Sequence, residues 1–174
     1  MRKTLAILAI MLLTVSCGVF RKAPSKSKPV FEPQKVEGLT TLKQKELLEE
    51  AYALIGTPYR YGGTGPEYFD CSGFTCYVYE KVGFTLFRRA ADQYTQGRPI
   101  LNNADLLPGD LVFFARKGRV FHVGIVVETD GNGFKFIHAG TSTGVTISSS
   151  ENNYWKPLYY GAKRIIVIQN DTSE

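Results

Sequence analysis

Between Lys43 and Ile55 the apolar residues Leu47, Leu48, Ala51, Leu54 and Ile55 recur at helical spacing among charged neighbours, and Gly56-Thr57-Pro58 ends the run. This pattern predicts a first helix. A glycine-rich, aromatic loop follows in "YRYGGTGPEYF", whose glycines have neither the spacing nor the lysine of a phosphate-binding loop. From Asp70 the helical period returns: Phe74, Val78 and Val82 fall four apart, and Gly83 is a natural stop. Asp70 is a good N-cap, which puts Cys71 in the first turn of this second helix. "RRAADQYTQG" reads as a third, shorter helix.

After "LLPGD" the apolar pattern becomes that of strands. These are predicted at 111–115, 120–128, 134–140 and 144–149, with a last apolar run "AKRIIVI". The connections "RKG", "TDGNG" and "TSTG" are short and turn-like, so consecutive strands should pair antiparallel. Helices first and a strand meander second make an α+β layout.

The front of the chain follows different rules. Arg2 and Lys3 precede an apolar run from Leu5 to Leu13, then Thr14-Val15-Ser16-Cys17, the layout of a secretory signal too short for a comfortable membrane span. The small Ser16 before a cysteine resembles a bacterial lipobox, although Thr14 stands where leucine is usual; residues 1–16 are then signal and Cys17 the acylated N-terminus. Multiple acylation at Cys17 would hold the protein on a membrane. An uncleaved anchor with an incidental cysteine is the alternative. Residues 17–42, with Pro24, Pro29 and Pro33 and no sustained period, read as a tether, and 43–170 as the folded domain.

Charge divides at the same boundary. Of 21 basic and 16 acidic residues, nine and two precede Glu46, leaving twelve and fourteen for the domain. The net charge of +5 therefore belongs to leader and tether, and nucleic-acid binding loses its main sequence argument.

The chain has two histidines, His122 and His138, on adjacent predicted strands. A hairpin turning about position 130 would set them opposite one another, roughly 5 Å apart at Cβ, whereas an odd register shift would separate them to opposite faces. A thiol at a helix start is favoured as thiolate by the dipole and free N–H groups, and a nearby histidine lowers its pKa further. The assignment that follows is Cys71 nucleophile, His122 general base and His138 orienter. Cys76 points about 140° away round the helix and reads as packing. A Cys71–Cys76 disulfide, a zinc site from both cysteines and both histidines, and two merely structural histidines are the competing readings.

"GTPYRYGGTGPEYFDCSGFTCYVYEKVG", "LLPGDLVFF", "HVGIVV" and "FIHAGTSTGVTIS" resemble, in order and spacing, the NlpC-type cell-wall peptidases, papain-like cysteine enzymes of bacteria. The likeness covers about residues 45 to 168. It implies a papain-like fold, the same roles for Cys71, His122 and His138, and no metal or other cofactor. Tyr59 matches a tyrosine near the oxyanion site or the substrate, and Asp70 and Ser72 match residues that help line a substrate subsite. Capping by Asp70 and loop packing by Tyr59 are their structural alternatives.

The resemblance also implies peptidoglycan stems as substrate. The compact layout is most similar to Spr-like murein endopeptidase lipoproteins, monomeric and lipid-anchored in the cell envelope. Gly18 leaves no inner-membrane retention aspartate, which points to the outer membrane. A non-catalytic wall-binding lipoprotein, and an amidase or acyltransferase on the same fold, are the other functions this layout could serve.

Overall fold

The structure, a computed structural model, describes residues 42–130 and 133–166. The signal, Cys17 and almost all of the tether lie outside the described residues. Helix α1 (Leu42–Ala53) begins one residue inside the expected tether. It buries Leu47, Leu48 and Ala51, while Leu54 and Ile55 pack against the same core from the turn beyond it. Its buried Gln44 donates to the carbonyl of Pro108 at 3.1 Å.

Helix α2 (Cys71–Lys81) follows the aromatic loop and buries Phe74, Val78 and Tyr79. Helix α3 (Ala90–Gln93) is only four residues long, so most of the predicted third helix is turn. After four intervening residues comes β1 (Arg98–Ile100), a short edge strand whose "RPI" carries no alternating signal.

The meander is as expected in order: β2 (Leu111–Arg116), β3 (Arg119–Thr129), β4 (Phe134–Gly140) and β5 (Gly144–Ser149). The last strand, β6 (Tyr159–Arg164), starts earlier and ends sooner than the apolar run suggests. All pairings in the six-stranded sheet are antiparallel, in the order β1-β6-β2-β3-β4-β5. The fold class is therefore α+β.

Alternation along the strands divides the interior. Phe113, Val123, Ile125 and Ile137 face the helices, with Leu47, Phe74 and Val78. Val112, Phe114, Val126 and Phe136 face the opposite side, where Trp155, Leu158 and Tyr159 cover them. The "PGD" turn is a structural knot. Tyr79 donates its hydroxyl to Gly109 O, and Asp110 accepts from Arg164 twice at 2.8 Å. This ties helix α2, the turn and β6 together.

Candidate active site

Asp70 has extended backbone (φ −93°, ψ 175°) and caps α2, its carboxylate accepting from Gly73 N–H at 2.7 Å and Gly62 N–H at 2.9 Å. Arg88 grips the same carboxylate with two N–H groups, at 3.0 and 2.6 Å, and donates to Ser72 Oγ at 3.0 Å. Burial pulls the Asp70 carboxyl upward, but Arg88 and the two N–H donors outweigh it and hold it below the usual carboxylate range. The helix start also seats against the preceding loop: a Cβ on Gly73 would stand 2.0 Å from Gly63 O, so only glycine lets the two backbones meet.

Cys71 is the first residue of α2, and its Sγ lies 3.9 Å from the Phe121 carbonyl. The N–H groups of Val123, Ser72 and Cys71 itself also face the sulfur. The thiol is thus set against the β3 backbone on both sides of His122. Helix-start reasoning predicts a lowered thiol pKa, and here the structure differs. Burial, reinforced by the Asp70 charge, pushes the Cys71 thiol up, and the three N–H groups offset this only in part.

His122 and His138 come together through a register other than the expected one. Ile125 stands opposite Ile137 and Val126 opposite Phe136, with a bulge between Val126 and Glu128. Continuing that register sets His138 against Gly124 instead of His122. The slip is two residues, so both imidazoles keep one face. Gly124 makes the meeting possible, because a Cβ there would be 2.6 Å from the Phe136 ring and 3.3 Å from His138 Cβ.

His122 Nε2 lies 2.9 Å from His138 Nδ1, and His138 Nε2 lies 2.9 Å from Ser148 Oγ. Trp155 covers both rings, at 4.8 Å from the His122 centroid and 5.1 Å from that of His138. Burial drives His122 well below its ordinary value, helped by His138, and lowers His138 to about 4. Both imidazoles are neutral at pH 7.

Cys76 is separate from this group: its sulfur lies 3.3 Å from Phe87 O and accepts from Gln93 Nε2 at 3.3 Å. Both cysteines are free, and Cys76 packs half-buried against the core. Tyr59 is bridged to Phe69 through the backbone, and burial, followed by the Cys71 and Asp70 charges, raises its phenol pKa.

The sequence of residues 56–164 matches the NlpC/P60 family. The chain belongs to this family. It is similar to the probable peptidoglycan endopeptidase LytE of Bacillus subtilis, 44% identical over 72% of this chain and 35% of LytE. It is also similar to the murein DD-endopeptidase MepH of Escherichia coli, 34% identical over 86% of this chain and 55% of MepH. The chain thus spans little more than half of one relative and about a third of the other. Among solved structures, a lipoprotein-like NLP/P60 family protein of Staphylococcus aureus superposes with a TM-score of 0.64 at 32% identity, covering 75% of this chain and 43% of that one.

Within this NlpC/P60 domain, sequence reasoning missed Arg88, Ser148 and Trp155. Ser148 lies two residues along β5 from Thr146, the partner of His138, so strand alternation gives it the histidine face once the register is known. Trp155 carries a signal in being the single tryptophan, set in an otherwise polar turn. Nothing in the sequence distinguishes Arg88 from Arg89, whose guanidinium pairs with Asp92 on the surface.

Proposed function

We propose that this chain is a cysteine-type peptidoglycan endopeptidase that cleaves amide bonds in murein peptide stems or cross-links. The observation that carries this reading is the seating of the Cys71 thiol against β3 on both sides of His122, which is itself bonded to His138. Membership of the NlpC/P60 family, and the names of LytE and MepH, support it.

In this mechanism His122 Nδ1 takes the Cys71 proton as the sulfur adds to the amide carbonyl. Backbone N–H groups at the α2 start, with the Tyr59 hydroxyl, stabilise the oxyanion. The imidazolium then protonates the leaving amine, and water, deprotonated by His122, releases the acyl group and restores the thiol. His138 accepts from His122 Nε2 and holds the ring. Asp70 and Ser72, fixed by Arg88, line the acyl side of the site.

Because the free thiol is neutral, the proton moves within the enzyme–substrate complex, without a preformed thiolate. Residues 1–16 serve as signal and Cys17 as a lipid attachment point, with the tether letting a monomeric domain reach the wall from an envelope membrane, the outer membrane where Gly18 directs sorting.

Digestion of defined muropeptides by the full chain in detergent, beside Cys71→Ala, tests the catalytic reading. Fragment masses distinguish the γ-D-glutamyl–diamino acid bond from the D-alanyl–diaminopimelyl cross-link. Unchanged cleavage by Cys71→Ala would refute the nucleophile. The anchor is tested by the mass of the mature N-terminus and by the membrane fraction of Cys17→Ala, which should become soluble.

A further inference from the structure

Beside the two imidazoles lies an open pocket of about 570 Å³. Its walls include Phe121, His122, His138, Thr146, Tyr154 and Trp155, and they include neither Cys71 nor Tyr59, Asp70 and Ser72. The thiol comes from the helical face of the sheet and the imidazoles from the aromatic face, and the pocket belongs to the imidazole side. In amide hydrolysis the acyl group stays with sulfur while the departing amine receives its proton from the imidazolium. A cavity walled by the base and its orienter is therefore the seat of the amine-side residue.

Among the described residues, no acidic side chain lines this pocket. At its rim stands an exposed cation, Arg116, at the end of β2. Its guanidinium donates to Tyr154 Oη at 2.8 Å and lies 5.1 Å from the Phe121 ring centroid and 5.6 Å from that of Tyr154. Both rings are pocket walls, so stacking and the hydrogen bond hold the fork in place at the opening. Arg116 has no carboxylate partner among the described residues, whereas Arg88, Arg89 and Arg164 each have one. Arg119 stands opposite it across the two-residue turn and adds to the positive field at this rim.

We infer that Arg116 is a specificity residue that recognises a free carboxylate on the amine-side residue of the scissile bond, seated in the pocket over Trp155. This rests on the endopeptidase reading, which gives the pocket its leaving amine. A planar guanidinium with free N–H groups fits a carboxylate, and an amidated residue would lose the charge that this contact uses.

Trp155 is the chain's single tryptophan, so its fluorescence reports on this pocket without a label. The full chain carrying Cys71→Ala is titrated with meso-diaminopimelyl-D-alanine and with the same dipeptide amidated at its carboxylates. The acid should bind about fivefold more tightly than the amide, the scale of an exposed charge pair, and added salt should narrow the gap. Adding Arg116→Gln should erase the difference and leave the affinity of the amide unchanged.

Equal affinities in the Cys71→Ala parent, a preference that persists in Arg116→Gln, or no saturable fluorescence change would each overturn the inference. So would displacement of the dipeptide by equimolar inorganic phosphate, which would mark a general anion patch. Binding needs no turnover, so the two readings fail separately. Intact binding beside absent muropeptide cleavage by the unmutated chain refutes the endopeptidase, and intact cleavage without carboxylate preference refutes only the role of Arg116.

Discussion

His122 Nε2 and His138 Nδ1 stand 2.9 Å apart, and with His122 as the base for Cys71 this pairing sets which nitrogen of each ring holds a proton. A base that receives the Cys71 proton on Nδ1 must already carry hydrogen on Nε2. It then donates to His138 Nδ1, which leaves the His138 proton on Nε2, directed at Ser148 Oγ 2.9 Å away. The donors run away from the thiol in one direction. Because burial lowers His138 to about 4, it stays neutral and accepting when His122 becomes charged.

Removal of the acceptor should therefore damage turnover more than binding. His138→Ala is expected to lower kcat by about 100-fold with little change in KM, the scale of a mispositioned general base. His138→Gln, whose amide oxygen can accept from Nε2–H, should retain more, and Ser148→Ala should cost less than either. Steady-state kinetics on one defined muropeptide order the three. A KM effect larger than the kcat effect in His138→Ala would assign the residue to substrate binding instead.

The same burial makes stability depend on pH. The folded state lowers both histidine pKa values, so between about 4 and 6.5 the unfolded chain binds more protons than the native one. The stabilising contribution of the neutral rings is fully present above the unfolded value of 6.5 and is lost as pH falls toward the folded values. The slope approaches about 1.4 kcal/mol per pH unit for each histidine. Denaturant titrations over this range should show His138→Gln with a visibly shallower decline than the unmutated chain.

A neutral, buried thiol should react in proportion to its small thiolate fraction. Alkylation of Cys71 by iodoacetamide is expected to rise about tenfold per pH unit from about 6 to 8 in the substrate-free protein. A rate that is flat across this range would mean a preformed thiolate. In parallel, Cys71→Ser should lose activity, whereas Cys76→Ser should shift stability by no more than about 1 kcal/mol, because its hydrogen bonds to Phe87 O and Gln93 suit a hydroxyl.

Gly124 tests the register itself. A methyl group there would press on the Phe136 ring from 2.6 Å, so Gly124→Ala should cost about 1–3 kcal/mol as the aromatic face shifts. Because His138 stacks on Phe136 with centroids 4.9 Å apart, activity should fall with it. Thermal melting and muropeptide turnover check both effects, and full activity at wild-type stability would show that the strand spacing tolerates a side chain.

Local periodicity was enough for α1, α2 and the four strands of the meander, because the apolar residues must mark whichever faces an element buries. Capping chemistry placed Cys71 at a helix start, since Asp70 has few other uses immediately before such a run. The third, shorter helix expected over "RRAADQYTQG" shrank to the four residues Ala90–Gln93 for the opposite reason. Gln93 there is fully buried and spends its side chain on Thr75, Ser72 O and Phe87 O, tertiary contacts that no helical period announces.

By itself the sequence determined the α+β order of elements, the candidate residues Cys71, His122 and His138, and the sharing of one sheet face by the two histidines. Face depends only on whether the register is odd or even, so it survived a two-residue slip. Tertiary structure alone decided that His138 stands opposite Gly124, that Arg88 holds Asp70 and Ser72, and that Trp155 covers the imidazoles. It also decided the sign of the Cys71 shift. A helix start favours thiolate through groups within one turn of the chain, whereas desolvation comes from every element packed around the sulfur, and here the second effect is the larger.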